Sequence, residues 1–364
     1  MLDGKRIVVT GGTGSLGIVL VRRLLSGALG QPEQITVFSR DEAKQHAMRL
    51  AYQRRTKATD EVIYHNFESA LRFQIGDVRD YAAVTTVLRD ADIVFNAAAL
   101  KQVPTCEYFP YEAVLTNITG AQNIVRAIRD YRLPVETVVG ISTDKATKPV
   151  NVMGMTKAIQ ERIFVRATLD CDDTRFVCAR YGNVLASRGS VIPLFLDQIR
   201  RGGPVTITTS EMTRFLLSLD QAVDTVLAAV QEGGHGETYV PRVPSARVVD
   251  IASVLIGDRR IETEVTGIRP GEKVHEILVS EEESHRAFER GDYYVIAPIL
   301  PELQPAGGVT GTLEREFSSA DALLSPAEVG ELFRQHDLLR DDLFALETEE
   351  ELSSPAPLLF GDTV

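Results

Sequence analysis

From about residue 5 to about residue 185, two apolar patterns alternate along the chain. The short runs KRIVVT, QITVFS, LRFQIGD, DIVFNAAA, ETVVGIST and RFVCARYGNV are rich in β-branched residues and have the length of strands. Between them lie stretches such as GIVLVRRLLSGA and EAVLTNITGAQNIVRAIRDYR, where apolar residues recur at helical spacing and charge occupies the other face. Strands spaced by helix-length segments predict an α/β fold with a doubly wound parallel sheet of the Rossmann kind. Beyond residue 186 the pattern loosens, and Gly and Pro punctuate SRGSVIPLF, RRGGPVTIT and GIRPGEKVHE. The change predicts a Rossmann domain over residues 1–185, with part of the later chain free to return to its sheet. A smaller domain over 186–300 would rest on the C-terminal edge of that sheet, where ligands bind in such folds. Residues 301–364 form an extension whose last part, DDLFALETEEELSSPAPLLFGDTV, is acidic and without bases, and reads as a solvated tail or as an arm docking on a neighbouring subunit.

Composition narrows the ligand class. The 364 residues are 44% hydrophobic, enough for two cores, and carry a formal net charge of -12. So acidic a surface argues against nucleic acid or an anionic membrane as partner, and an anionic ligand must be met by a few placed Arg and Lys. Cys106, Cys171 and Cys178 show no metal-ligand spacing and read as free thiols, so no disulfide and no metal are expected. The chain opens directly on a strand pattern, with no leader-like segment and no apolar run near the roughly 18 residues of a membrane span. A cytoplasmic location is expected.

The segment VVTGGTGSLGIVLV sets Gly11, Gly14 and Gly17, with Thr13, Ser15 and Leu16 between them, where the first strand meets the first helix. Glycines there permit a tight turn and let backbone N–H groups approach a pyrophosphate at the helix N-terminus. After the second strand, Ser39 and Arg40 stand where an acid bonding both ribose hydroxyls would mark NAD, and Lys44 follows one turn on. Arg40 can pair with a 2′-phosphate, so NADP is expected, with NAD, served by Asp41, as the alternative. Asp77, after the third strand, suits the adenine amine, or else merely forms the turn.

Six stretches in order, TGGTGSLG, FSRDEAKQ, NAAALKQVPTCEYFPYEAVLTNITGAQNI, STDKATKPVNVMGMTK, RYGNVLASRGSVIPLF and GIRPGEKVHE, together resemble the UDP-N-acetylglucosamine 4,6-dehydratase family of extended short-chain dehydrogenase/reductases. The resemblance covers roughly residues 3 to 300 and omits the acidic tail. It implies a UDP-sugar substrate that is oxidised at C4 with NADP, loses water across C5 and C6, and regains the hydride at C6. It also places Val78, Ala97 and Ala98 along the cofactor.

By that resemblance Asp144 delivers a proton to the departing C6 hydroxyl and Lys145 is the base at C5. Burial and a neighbouring cation, Lys157, are expected to lower the pKa of Lys145. Lys157 would bond the nicotinamide ribose, with Ser142 or Thr143 near the sugar O4. Short-chain dehydrogenases place a Tyr four residues before that Lys; here it is Met153, a thioether that cannot be deprotonated. Helical spacing sets Met153 and Lys157 on one face. A branch of the family resembles this chain in carrying Met there, and the O4 proton is expected to pass to Asp144 or to a water near Thr143 and Lys157.

For the substrate, the resemblance implies diphosphate contacts from Asn183, Ser190 and the RGS segment with Arg188, neutralising charge from Arg214 and Arg269, and a nucleoside ribose contact from Glu272. Lys101 would reach the hexose, with Glu107 and Tyr108 ordering its loop. His235 reads as part of a turn and His275 as orienting its loop, neither as a base. An epimerase that returns the hydride to C4 and a non-catalytic NADP-binding regulator are the alternatives; neither needs Asp144 and Lys145 side by side. Inversion at C5 is expected from the resemblance alone, and no single residue reads the acetamido group. A homo-oligomer is expected for this fold.

Overall fold

The computed structural model describes residues 2–53, 70–185, 190–304, 308–336 and 338–339. The strand patterns form β1 (Arg6–Thr10), β2 (Gln34–Ser39), β3 (Leu71–Ile75), β4 (Ile93–Asn96), β5 (Thr137–Thr143) and β6 (Arg175–Tyr181). All pair in parallel, in the order β6-β5-β4-β1-β2-β3. Both faces are covered, so the strands are apolar nearly throughout rather than alternating.

One face is layered by α1 (Ser15–Leu25), whose Leu20, Val21 and Leu24 share a core with Ile7, Val9 and Val37. The other face carries α3 (Tyr81–Leu88), α5 (Gly120–Tyr131) and α6 (Val152–Ala167), with Val84, Ile124, Ile128 and Phe164 in a second core. This region also holds α2 (Glu42–Gln53), α4 (Val103–Tyr108) and a short helical turn at Pro110–Ala113. Gly140 on β5 is what lets α6 approach: a Cβ there would lie 2.5 Å from Phe164, which stacks on Phe176 at 6.1 Å.

The chain beyond residue 186 does two things. Ile192, Phe195, Ile251, Leu255, Val329 and Phe333, on helices α7 (Val191–Arg200), α9 (Val248–Ile256) and α10 (Pro326–Gln335), build a separate third core. Between them, α8 (Leu219–Glu232) packs on the face that α1 covers. The strand Thr238–Pro241 then lies parallel to β6, and Tyr293–Ile296 and Ala287–Arg290 follow antiparallel, extending the sheet to nine strands. The acidic tail, residues 341–364, lies outside the described residues. Among the described residues no helix is long and apolar enough to cross a membrane.

Candidate active site

The turn from β1 into α1 is a cradle that side chains would fill. Gly11 adopts φ +67, and a Cβ there would sit 2.7 Å from the backbone N of Ala98. A Cβ on Gly17 would sit 2.5 Å from Gly12 Cα. Gly14 caps α1 without a side-chain bond, and the first turn, which includes Ser15 and Leu16, holds no acid, so the positive end of the helix is left open. Thr13 is half-buried beside it. Ala97 and Ala98 close the other side, their N–H groups bonding Thr10 at 3.1 and 3.3 Å.

At the end of β2 the buried Ser39 hydroxyl accepts from Gln45 at 3.0 Å. Asp41 turns into α2 instead, accepting the Lys44 N–H at 2.9 Å and pairing with its ammonium at 3.0 Å. Arg40 is exposed, 3.7 Å from Asp77. Asp77 accepts from the backbone and side chain of Arg79, both at 2.9 Å, which holds it in the turn. Val78 is buried, and Asn123 takes its carbonyl at 2.9 Å.

At the end of β5, Thr143, Asp144 and Lys145 are linked in series. The Thr143 hydroxyl donates to Asp144 Oδ1 at 2.8 Å, and Lys145 Nζ donates to the same oxygen at 3.1 Å and to Asn183 Oδ1 at 3.0 Å. Asp144 is fully buried and its Oδ2 has no partner among the described residues. Such an orphaned oxygen calls for a ligand. Glu276, not anticipated from the sequence, brings Oε1 to 3.6 Å from Lys145 Nζ and leaves Oε2 unpartnered. Burial opposes the charge on Lys145, but the carboxylates of Asp144 and Glu276 outweigh it and hold the ammonium above the usual lysine range, with Arg214 acting the other way. The direction is opposite to the expected one, because Lys157 is not its neighbour.

Lys157 donates instead to Gln160 Oε1 at 2.8 Å, and burial pulls its pKa down to about 8. Met153 packs in a small apolar cluster with Cys106 and Ala113. The two share a helix but face different surroundings. Ser142 points away from Thr143, as strand alternation requires, and donates to Glu161 at 2.5 Å. There Arg180 is held by Glu161 and Glu283 in a buried cluster, so Ser142 is not available at O4.

Arg214 is buried rather than facing solvent, with one nitrogen on the carbonyls of Thr213 at 2.7 Å and Val274 at 3.1 Å. Arg269 is exposed on its loop and Lys101 on another. Ser190 Oγ and Glu272 Oε2 are buried without partners among the described residues. Arg188 lies outside the described residues. His275 Nδ1 meets the Thr213 hydroxyl at 2.9 Å, and His235 lies exposed in its turn. Glu107 accepts the Val152 N–H at 2.7 Å and so orders the start of α6, whereas Tyr108 is 83% exposed.

Three further residues, Asn117, Lys273 and Asn151, position the site and carry no signal in the sequence. Asn117, in a π-helical turn, bonds the N–H and carbonyl of Leu100 at 2.8 and 3.0 Å and Thr156 at 2.9 Å, tying the loop after β4 to α6. Lys273 donates to the Thr147 carbonyl at 2.5 Å, and Asn151 to that of Gly271 at 2.8 Å. These bonds fasten the segment carrying Glu272 and Glu276 against the turn carrying Asp144.

A family model described as polysaccharide biosynthesis protein matches residues 7–298. A UDP-glucose 4-epimerase of Rickettsia conorii is 44% identical over 301 residues, 81% of this chain and 84% of that protein. A UDP-glucose 4-epimerase of Rickettsia typhi is 40% identical over 354 residues, 94% and 99% of the two chains. The solved structure of Pen from Bacillus thuringiensis superimposes with a TM-score of 0.82 at 32% identity, covering 93% of this chain and 100% of that one. The dTDP-glucose 4,6-dehydratase DesIV of Streptomyces venezuelae shares the fold, at a TM-score of 0.61 and 20% identity over 74% of this chain and 86% of that one. The chain belongs to the polysaccharide biosynthesis protein family, and its fold is that of the extended short-chain dehydrogenase/reductases.

Proposed function

We propose that the protein is an NADP-dependent nucleotide-sugar 4,6-dehydratase acting on UDP-N-acetylglucosamine or a closely similar UDP-hexose. The observation that carries this reading is the series Thr143–Asp144–Lys145, a hydroxyl, a carboxylate and an amine in contact at the C-terminal edge of the sheet. The glycine cradle before α1 fits a dinucleotide pyrophosphate. Ser39 and Arg40, with Asp41 spent on α2, favour the phosphorylated cofactor. When bound, the nicotinamide supplies the hydride acceptor that oxidises C4 and the donor that later reduces C6.

The chain's own groups account for each proton. Thr143 takes the O4 proton as it passes its own to Asp144 Oδ1, so a hydroxyl–carboxylate relay replaces the phenol absent at position 153. Protonated Asp144 is then the acid that C6 needs. Its neutralisation also removes the larger of the two charges that hold Lys145 as an ammonium, leaving burial and Arg214 against that charge and Glu276 alone for it. The side chain is 21% exposed, so its proton can pass to water. Neutral Lys145 takes the C5 proton, which the C4 ketone has made acidic; water leaves from C6 with the proton of Asp144. Lys145 returns its proton to C5 once C6 is reduced. Elimination therefore follows oxidation.

The second reading is a 4-epimerase, favoured by the names of the Rickettsia relatives. Epimerisation begins with the same oxidation but needs neither an acid at C6 nor a base at C5. Purified protein with UDP-N-acetylglucosamine and no added oxidant separates the two by mass spectrometry. A product lighter by one water, lost in Lys145→Ala, supports the dehydratase; a product of unchanged mass epimeric at C4 sinks it. A cytoplasmic homo-oligomer handling a soluble UDP-sugar completes the proposal.

A further inference from the structure

Behind the turn that carries Asp144 and Lys145 lies a cavity of about 330 Å³ that the reaction does not use. Its walls are the segment Ala146–Pro149, one face of α6, and residues from 280 to 299. The charge in it is unevenly matched. Arg180 takes Glu161 and Glu283 on both sides, at 2.6 and 2.7 Å, and these acids are spent. Arg286 retains a 3.5 Å contact to Glu283 and a bond to the Ala297 carbonyl. Burial and the nearby guanidinium groups of Arg162 and Arg180 work against its charge, with Glu283 opposing them. Arg162 is exposed on α6 and has no acid within ion-pair distance among the described residues. At the rim Lys148 pairs with Glu316 at 3.0 Å and lies 4.0 Å from Glu282.

Like-charged guanidinium groups beside a cavity are stabilised by an anion between them. A second observation points the same way. Thr147 is 3% exposed, lines this cavity, and its hydroxyl has no partner among the described residues. A buried hydroxyl without a partner costs stability that a ligand oxygen would recover. The volume exceeds that of a bare phosphate and falls in the range of small-metabolite pockets, roughly 300–1,000 Å³.

We propose that this cavity is a second ligand site for a small oxyanion of phosphate-monoester size, held by Arg162 and Arg286 with Thr147 donating or accepting one bond. The Thr147 backbone carbonyl accepts from Lys273, and the residue follows the Asp144–Ala146 turn, so occupancy bears on the catalytic pair without entering its site. The inference stands apart from the dehydratase reading, because it is tested by binding alone.

The test is calorimetric titration of the full chain, saturated with NADP and UDP so that their own phosphate sites are filled, with inorganic phosphate in one arm and glucose 6-phosphate in another. One saturable site is expected in at least one arm, weakened at least about tenfold in Arg162→Ala and again in Thr147→Val. Both variants should retain NADP binding, which shows that they fold. A preference for glucose 6-phosphate identifies an organic phosphate as the ligand, and equal binding identifies the free ion. No saturable heat in either arm, or binding unchanged in both variants, overturns the proposal.

Discussion

Replacing Glu276 by Gln tests the electrostatics of the catalytic pair with almost no change of shape. The carboxylate lies 3.6 Å from Lys145 Nζ. Opposite charges at that distance interact by about 4.6 kcal/mol at an effective dielectric near 20. Two effects shrink this. Lys145 is 21% exposed to screening water, and Arg214, 4.0 Å from the same carboxylate, loses its own partner and changes the local field. A fall in the Lys145 pKa is therefore expected. The sign follows from the protonation state that the reaction needs. Glu276 helps hold the folded-state pKa above its unfolded value, and the base must be neutral, so the rising limb of kcat/KM against pH should move to lower pH in Glu276→Gln. The assay is product formation from UDP-N-acetylglucosamine across pH 6 to 10, with NADP binding as the folding control. A limb that stays in place, or moves to higher pH, refutes the assignment of Lys145 as the base.

Other expectations follow from single contacts. Arg40→Ala should weaken NADP by on the order of tenfold to a hundredfold while leaving NAD nearly unchanged, because it removes a cation suited to the 2′-phosphate; equal losses for both cofactors would count against that role. Lys157 is buried with its pKa lowered to about 8, so the folded chain resists a proton that the unfolded chain holds up to about 10.5. Stability should rise as pH climbs from about 8 to 10.5, and Lys157→Met should be more stable near neutral pH by on the order of 2 kcal/mol by denaturant titration while losing cofactor affinity. Glu283, pulled down to about 2 by Arg180 against its burial, contributes stability that is complete above the usual carboxylate value and is lost as pH falls toward 2. Glu283→Gln should cost about 3–5 kcal/mol at neutral pH, since it leaves Arg180 half-compensated in the interior. Lys145→Met should still oxidise C4 yet fail to eliminate water, so reduced cofactor accumulates in its near-ultraviolet band.

What the sequence discloses depends on the range of the interaction. Strands β1 to β6 were legible because each apolar run sits in a parallel sheet buried on both faces, and the glycine cradle because its steric demands are local. The short strands at 238–241 and 287–296 were harder to place, since pairing with β6 follows from tertiary closure rather than from any period in those residues. Asp144 and Lys145 stood out as neighbours in a motif. Glu276 did not, because its approach to Lys145 spans the whole smaller domain and depends on backbone bonds such as Lys273 to Thr147. Strand alternation could have separated Ser142 from Thr143 in advance, as it places their side chains on opposite faces of β5. Lys145 is held as an ammonium first by Asp144, its neighbour in sequence, and then by the remote Glu276, while the cation expected beside it turns into the interior toward Gln160.

The relay from O4 through Thr143 to Asp144 requires that oxidation at C4 precede the loss of water, and an isotope can follow that order directly. With UDP-N-acetylglucosamine carrying deuterium on C4, the account predicts a product lighter by one water in which the deuterium has moved to C6. Deuterium found again on C4, in a product that has kept all its oxygen, would contradict it.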